Sequence, residues 1–379
     1  MYREINLDDV PSLKDYSKSK LTFPINYDED LAFLGECIRV EGSLNKGTKN
    51  MSFGNSDISL LKEVERILSK FNCHIYRTLR ISMKIPESLS KEDIKIIDLS
   101  TNRIKEKFSI RHSTRFNKKF HELIFLETKI AYGSEKHYKI YLKDNFVEIS
   151  IKIPEMSRII VNPKREVTAV IQLIFANFAL REVFRIILEI PEGRKSKIIF
   201  IPNILLNSQN SVISSAINAV LACEGFITYQ KPPRSNRSID LEMTSKQYIE
   251  GLKELLVKLG IVSYINTRKN RNVFSLHIYG KENLLKIKEI IKFTEPIKED
   301  KFNYMLSTYR GFNDAKQAEG LITEAIKKLG KNAYIICISK LVGRKERTIR
   351  TYLGRMIKEG KLISSKTKPA VYYLSSKIS

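Results

Sequence analysis

Two stretches of this chain repeat one pattern, and that repeat limits the fold more than any other feature. Asp30–Leu44 reads DLAFLGECIRVEGSL, and Ile213–Ile227 reads ISSAINAVLACEGFI. Each is a run of apolar and small residues at helical spacing, closed by Glu-Gly and a short β-like segment. Gly42 and Gly225 are expected to end their helices in the left-handed conformation. A second amphipathic helix follows in each copy. In NSDISLLKEVERILSKF (55–71) Ser56 or Asp57 is the expected cap, and in TSKQYIEGLKELLVKLG (244–260) Thr244 or Ser245. Strict alternation marks strands: Ile239, Leu241 and Met243 against Ser238, Asp240 and Glu242, then Phe274, Leu276 and Ile278 against Ser275, His277 and Tyr279. Period two leaves one sheet face for the helices and the other open. KENLLKIKEIIKF (281–293) closes the second copy. The pattern predicts an α+β fold of two pseudo-symmetric αββαββα units, the first swollen by an insertion across 85–165.

Composition narrows the function classes. The chain has 379 residues, enough for two or three domains, and 42% of them are hydrophobic, which excludes disorder as the main state. Its opening MYREINLDDV reads as neither a secretory signal nor a transit peptide. The longest apolar stretch, Val167–Leu180, includes Gln172 and Asn177 and is too short and polar to span a membrane. Together with its flanks it is expected to form a core helix over 166–189. Cys37, Cys73, Cys223 and Cys337 are scattered without a CxxC pair, so neither a zinc knuckle nor a disulfide framework is indicated; reduced thiols in a cytoplasmic, nucleoid-associated protein are expected. Sixty-six Lys and Arg against 42 Asp and Glu give a net charge of +24, which points to a polyanionic partner, nucleic acid before anionic lipid.

The nonapeptides LGECIRVEG (34–42) and INAVLACEG (217–225), each followed by a matching strand–helix pattern, resemble the motifs of LAGLIDADG homing endonucleases, with both copies in one chain. IPNILLNSQNSVISSAINAVLACEG (201–225) is also similar to the approach to the second motif in intein endonuclease domains. The resemblance covers about 29–295. It implies that two motif helices pack through small residues, with Gly35, Cys37, Ala219, Ala222 and Cys223 as candidates, and that two open sheets form a saddle on duplex DNA. It also implies that Glu41 and Glu224 meet at the foot of the helices, where paired carboxylates hold Mg²⁺ for phosphodiester cleavage. The alternative is that both are helix-end residues without chemistry. Glu36 and Arg39 depart from the motif, as does Ala222; the first two are expected to face outward or to pair with each other.

Basic residues on or between the strands are candidate DNA contacts: Lys46, Lys49, Arg77, Arg80 and Lys84 in copy one, and Lys231, Arg234, Arg237, Arg268, Lys269 and Arg271 in copy two. Asp240 and Glu242 fit poorly beside phosphates; either they read cytosine amino groups or their strand leaves DNA untouched. Within the insertion, Arg103, Lys105, Lys107, Arg111, Arg115, Lys118 and Lys119 alternate with Phe108, Phe116 and Phe120, which suits either a nucleic-acid arm or a core with a solvated face.

Residues 311–379 carry 15 Lys and Arg against five Asp and Glu and resemble a winged helix-turn-helix. Ile338, Leu341 and Val342 fit the first helix of the pair, with Gly343 in the turn. Ile349, Leu353, Met356 and Ile357 form the core stripe of the next. Arg344, Lys345, Arg347, Thr348, Arg350, Thr351 and Arg355 are then candidate DNA contacts, with Lys366 and Lys368 on a hairpin wing. The expected domains are 1–200, 201–308 and 309–379.

The leading expectation is a sequence-specific binder of double-stranded DNA that needs no cofactor, on a scaffold no longer used for cleavage, serving as a transcription regulator or replication-origin binder. Bacterial sporulation regulators of the WhiA type are similar in pairing such a scaffold with a C-terminal reader. An active Mg²⁺-dependent endonuclease is the alternative, and an RNA maturase a third reading.

Overall fold

The computed structural model describes residues 2–13, 21–86, 88–99, 101–104, 109–112, 120–124, 135–143, 145–152, 158–160, 167–230, 236–268, 272–309, 315–365 and 367–375. A short ribbon of β1 (Arg3–Ile5) and β2 (Ile25–Tyr27) leads into helix α1 (Glu29–Val40), capped by the Asp28 carboxylate on the Leu31 amide at 2.9 Å. Strands β3 (Ser43–Leu44) and β4 (Asn50–Asn55), helix α2 (Ile58–Lys70) and strand β5 (His74–Pro86) follow. Asp57 is the α2 cap, accepting from the Leu60 amide at 2.7 Å.

The insertion begins where β5 ends. It supplies β6 (Ile94–Asp98), β7 (Arg103–Ile104), β8 (Ser109–His112), β9 (Phe120–Ile124), β10 (Glu135–Leu142), β11 (Asn145–Lys152) and β12 (Arg158–Ile160). Copy one resumes at β13 (Val167–Ala176), antiparallel to both β4 and β5 in a six-stranded sheet of order β3-β4-β13-β5-β9-β8. The other inserted strands make a separate sheet, β12-β11-β10-β6-β7.

The helix expected over 166–189 is therefore a strand, a turn and a helix. Ile171, Leu173 and Phe175 are buried in alternation, and the β-branched Val167, Thr168, Val170, Ile171 and Ile174 favour the pleated conformation. Asn177 then caps α3 (Phe178–Glu182), which continues through one π-helical turn, Val183–Ile187. An apolar run of this length reads as a buried strand or a buried helix with equal ease.

Copy two runs α4 (Asn203–Leu206), α5 (Asn210–Glu224), β14 (Phe226–Tyr229), β15 (Arg237–Met243), α6 (Lys246–Lys258), β16 (Tyr264–Arg268), β17 (Val273–Tyr279) and α7 (Lys281–Ile290). Ser245 caps α6 through the Tyr248 amide at 3.2 Å. From α5 onward this is αββαββα with a sheet of order β14-β15-β17-β16. The chain continues as α8 (Pro296–Ser307), α9 (Ala315–Leu329), α10 (Ile335–Val342), α11 (Glu346–Lys358) and a hairpin of β18 (Leu362–Ser364) and β19 (Tyr372–Leu374). The fold is α+β. Among the described residues no helix is long and apolar enough to cross a membrane.

The chain divides into two compact units. The first holds Met1–Gly225, Leu241–Leu276 and Lys288–Glu299; the second holds Phe226–Asp240, His277–Ile287 and Asp300–Ser379. In the first, α1 packs along α5 with Leu31, Leu34, Cys37, Val212, Ala216, Ala219 and Val220 all buried. In the second, α9, α10, α11 and the hairpin surround their own core of Ile322, Ile326, Ile338, Ile349, Leu353, Met356 and Leu362. Gly343, at φ 71°, ends α10 in the left-handed conformation and turns the chain into α11.

Gly42 and Gly225 do not behave as expected: neither has a positive φ, and Gly225 is extended at φ −74°, ψ 140°. Their need is for closeness. A Cβ on Gly42 would lie 2.7 Å from the Ile38 Cα and 2.8 Å from the Ser52 carbonyl oxygen, and one on Gly225 2.6 Å from the Leu221 carbonyl oxygen. Each strand leaves its helix so sharply that any side chain would strike the last turn.

Glu36 and Arg39 pair with each other at 2.8 Å, but they are buried, not outward-facing, at 2% and 0% exposure. The remaining donors and acceptors of the pair are used. Tyr248 donates its hydroxyl to Glu36 at 2.5 Å, and Arg39 donates to the carbonyls of Leu188 and Glu189. Such completion is what makes a buried ion pair tolerable.

Candidate functional site

The last turns of α1 and α5 present the two motif glutamates. Glu41 is the C-terminal cap residue of α1, and Glu224 the last residue of α5. Between the helices the sulfurs of Cys37 and Cys223 approach to 3.9 Å. All four cysteines are free thiols, and the contact with Cys37 together with burial pushes the Cys223 thiol well up. Side chains this compact let the two helix ends converge.

Glu41 and Glu224 are close enough to feel each other's charge. Burial, with the Glu224 carboxylate beside it, pushes Glu41 up to about 7, against the Asn55 hydrogen bond and the Lys298 charge that pull it down. Burial also raises Glu224, opposed by Lys298. Asn55, at the end of β4, donates its side-chain amide to Glu41 Oε2 at 2.6 Å.

Sequence reasoning missed Asn55, Lys298 and Lys195. Lys298 Nζ donates to the Leu221 and Ala222 carbonyls at 3.1 and 2.5 Å, capping the end of α5, and pairs with Glu295 at 2.9 Å. Lys195 does the same for α1, donating to the Ile38 carbonyl. These two lysines stand equally far past the last helical residue of their own copies, Ile187 and Ile290, and each serves the carbonyl three residues before its glutamate. Neither follows a local signal, because the acceptor lies on a helix far back along the chain. The repeat offers one route to them: aligning the copies at their closing helices pairs Lys195 with Lys298.

Among the described residues, no three His, Cys, Asp or Glu side chains gather into a metal site. Two carboxylates alone fit Mg²⁺, which keeps several waters and shares its coordination with substrate phosphate.

The family model described as a LAGLIDADG-like domain matches residues 211–292. This stretch is a LAGLIDADG-like domain. Among curated proteins, the chain is 31% identical over 147 residues to a probable translation initiation factor IF-2 of Methanocaldococcus jannaschii, covering 37% of this chain and 12% of that protein. It is 26% identical over 176 residues to the same-named protein of Thermococcus kodakarensis, covering 46% and 14%. The chain thus spans only a small part of the curated relatives it matches. Among solved structures, full-length DUF199/WhiA from Thermatoga maritima is 9% identical, with 90% of this chain and 93% of that one covered and a TM-score of 0.38. I-DmoI in complex with DNA and Ca is 11% identical, with 74% and 98% covered and a TM-score of 0.36.

Within the LAGLIDADG-like domain several candidate DNA contacts are already engaged. Arg268, on exposed β16, pairs with Glu242 of β15 at 2.9 Å across the intervening β17, so that carboxylate is neutralised from within the sheet. Asp240 is buried at 4% exposure and accepts from Thr228 at 2.6 Å and Ser238 at 2.9 Å, with His277 Nδ1 at 2.6 Å. This corrects only its expected place on the open sheet face. Arg237 is also no free cation: it donates to the Thr308 hydroxyl at 2.8 Å and carbonyl at 2.9 Å and lies over the Tyr309 ring at 4.8 Å. Lys231, Arg234, Lys269 and Arg271 lie outside the described residues.

In copy one the parity of β5 decides. Leu79, Ile81, Met83 and Ile85 are buried, so Arg77 shares the helix-covered face, where it pairs with Glu65 of α2. Its expected place on the open face is corrected. Arg80 lies on the opposite face and donates to Gln172 Oε1 at 2.6 Å. Lys46 and Lys49 are exposed in the turn between β3 and β4. The side chain of Lys84 lies outside the described residues, as does most of the basic–phenylalanine stretch.

On α11 the buried stripe of Ile349, Leu353 and Met356 leaves Lys345, Arg347, Arg350 and Thr351 exposed, with Thr348 half-buried. Arg344 donates to the Gly343 carbonyl at 3.1 Å. Arg355 is held differently, by Glu319 of α9 and by Glu359 at 3.4 Å. Lys368 is exposed between β18 and β19, and Lys366 lies outside the described residues.

Proposed function

We propose that the chain is a sequence-specific binder of double-stranded DNA, in which α11 enters the major groove as the recognition helix of a C-terminal winged helix. The observation that carries this reading is the segregation on α11: one side is core, and the other presents Lys345, Arg347 and Arg350. Arginine forks suit guanine edges and phosphates alike, and the hairpin places Lys368 where a wing would meet the backbone. The LAGLIDADG-like domain supports a second DNA contact, for which Arg80, Lys46 and Lys49 of copy one are the exposed or half-exposed candidates. On this reading the domains divide near residues 200 and 308, and the role is that of a transcription regulator or replication-origin binder. Recovering the genomic duplex fragments that the full chain retains, and mapping them, tests both parts. Fragments clustered at promoters or an origin support the reading; retention without sequence preference contradicts it.

The convergence of Glu41 and Glu224 favours a second reading, a Mg²⁺-dependent endonuclease. The two carboxylates would hold the metal together with a DNA phosphate, and the ion would supply Lewis-acid stabilisation of the leaving oxygen. Asn55 orients the Glu41 carboxylate, and Lys298 fixes the last turn of α5 beneath Glu224. Incubating a retained duplex with Mg²⁺ decides: cleavage that Glu41→Gln and Glu224→Gln abolish without loss of binding establishes the enzyme, and an intact duplex removes it.

A further inference from the structure

We propose that the outer face of the five-stranded sheet inserted into copy one binds unpaired nucleotides, stacking bases on Phe146 and Tyr141 and meeting phosphates with Lys95 and Lys139. This reaches beyond the duplex-binding reading and does not depend on it.

The sheet has one buried and one open face. Ile96, Tyr138, Ile140, Val147 and Ile149 are all at most 1% exposed and point inward. Register then fixes what faces out: Tyr141 lies opposite Phe146 on β11 and Lys95 on β6, and Lys139 lies opposite Glu148. A face meant only for water would carry polar side chains throughout. Here the turn end of the β10–β11 hairpin is aromatic, with Phe146 48% exposed and its ring centre 6.3 Å from that of Tyr141.

Lysines flank the rings. Lys139 Nζ stands 4.1 Å from the centre of the Phe146 ring and 5.7 Å from that of Tyr141, also 3.3 Å from Glu148. A ring that holds a cation against its π-face presents the surface a base would use, and a phosphate would draw the ammonium aside. Glu148 repels that phosphate less because Lys139 and Lys95 share its face. The ligand is unpaired because bases in a duplex bury their faces in the stack; only splayed bases can lie on an aromatic side chain. The polycationic chain, at +24, disfavours a basic protein partner and favours a polyanion.

The chain has no tryptophan, so Phe146→Trp installs a single tryptophan, excitable apart from the tyrosines, on this exposed position. The full-length variant is titrated with an oligothymidylate and, separately, with a blunt duplex carrying an anisotropy label. Stacking predicts that the single strand quenches tryptophan emission severalfold more than the duplex does. In the otherwise unchanged protein, Phe146→Ala should weaken oligothymidylate binding by about tenfold, the range expected for one stacked base, while duplex affinity holds. Tyr141→Leu, which keeps an apolar side chain at its site, should weaken it similarly. Unchanged emission with saturating single strand overturns the proposal, as does an equal loss of single-strand and duplex affinity in both variants. Duplex anisotropy reports the other reading separately: duplex bound while the saturating single strand fails to quench leaves duplex binding standing and removes this platform.

Discussion

The Sγ atoms of Cys37 and Cys223 stand 3.9 Å apart, one from each of the two helices whose last turns present Glu41 and Glu224. That contact sets how closely the glutamates converge. Enlarging either thiol should wedge the helices: Cys37→Leu or Cys223→Leu is expected to destabilise the chain by about 1–3 kcal/mol through overpacking. Chemical denaturation measures it, and a midpoint unchanged by both substitutions would mean that the helices are not closely packed there.

Glu41 makes stability depend on pH in the direction opposite to most carboxylates. Its folded value is about 7, against an ordinary 4.5, so between those values the folded chain keeps a proton that the unfolded chain has lost. Its contribution is fully present below pH 4.5 and is lost as pH rises through 7. Glu41→Gln should flatten this slope and raise stability at pH 8 by on the order of 1–2 kcal/mol, allowing for partial exposure. Urea midpoints across pH 5–8 report both effects, and parallel curves for the two proteins would contradict the assignment.

Lys195 slopes the other way. Burial, then the neighbouring Arg39 charge, lower its folded value from 10.5 to about 7. Between these values the unfolded chain binds a proton the folded one does not, so stability rises with pH from 7 toward 10. Lys195→Met should remove that rise.

The buried Glu36–Arg39 pair should be costly to break and cheap to replace. Arg39→Met strands the Glu36 charge and is expected to cost about 3–5 kcal/mol. Adding Glu36→Met should recover a large part of that, as a double-mutant cycle would show.

Much of this architecture is legible in the sequence because it is local. The α1, α2, α5 and α6 helices and the strands containing Ile239 and Leu276 follow from periodicity within a few residues, and capping chemistry narrows each cap to two neighbours, of which the structure selects Asp57 and Ser245. What could not be read depends on partners brought from afar. Arg77 looks like a surface cation until strand parity puts it beneath α2, beside Glu65. Asp240 and Glu242 look exposed until His277 arrives from the adjacent strand and Arg268 from the one beyond it. Glu36 and Arg39 look like drift, yet Tyr248 and the carbonyls of Leu188 and Glu189 complete them. In the candidate site, the glutamates came from the motif, whereas Asn55, Lys195 and Lys298 take their roles from partners far along the chain, and only the alignment of the two copies hints at the lysines.

The cations of α11 should separate by their partners. Arg347→Ala or Arg350→Ala, if the residue contacts phosphate, should weaken duplex binding across sequences and reduce the salt slope by about 1. Arg355→Ala should instead leave the salt slope unchanged and act only weakly on stability, because its guanidinium is committed to Glu319 and Glu359 at the surface.

The salt dependence of duplex affinity in the full-length chain tests the central claim most directly. Phosphate-dominated binding requires log affinity to fall linearly with log salt, at about −0.9 per phosphate neutralised, so a recognition helix and a second contact together give a steep line. An affinity that scarcely changes between low and physiological salt would contradict the account.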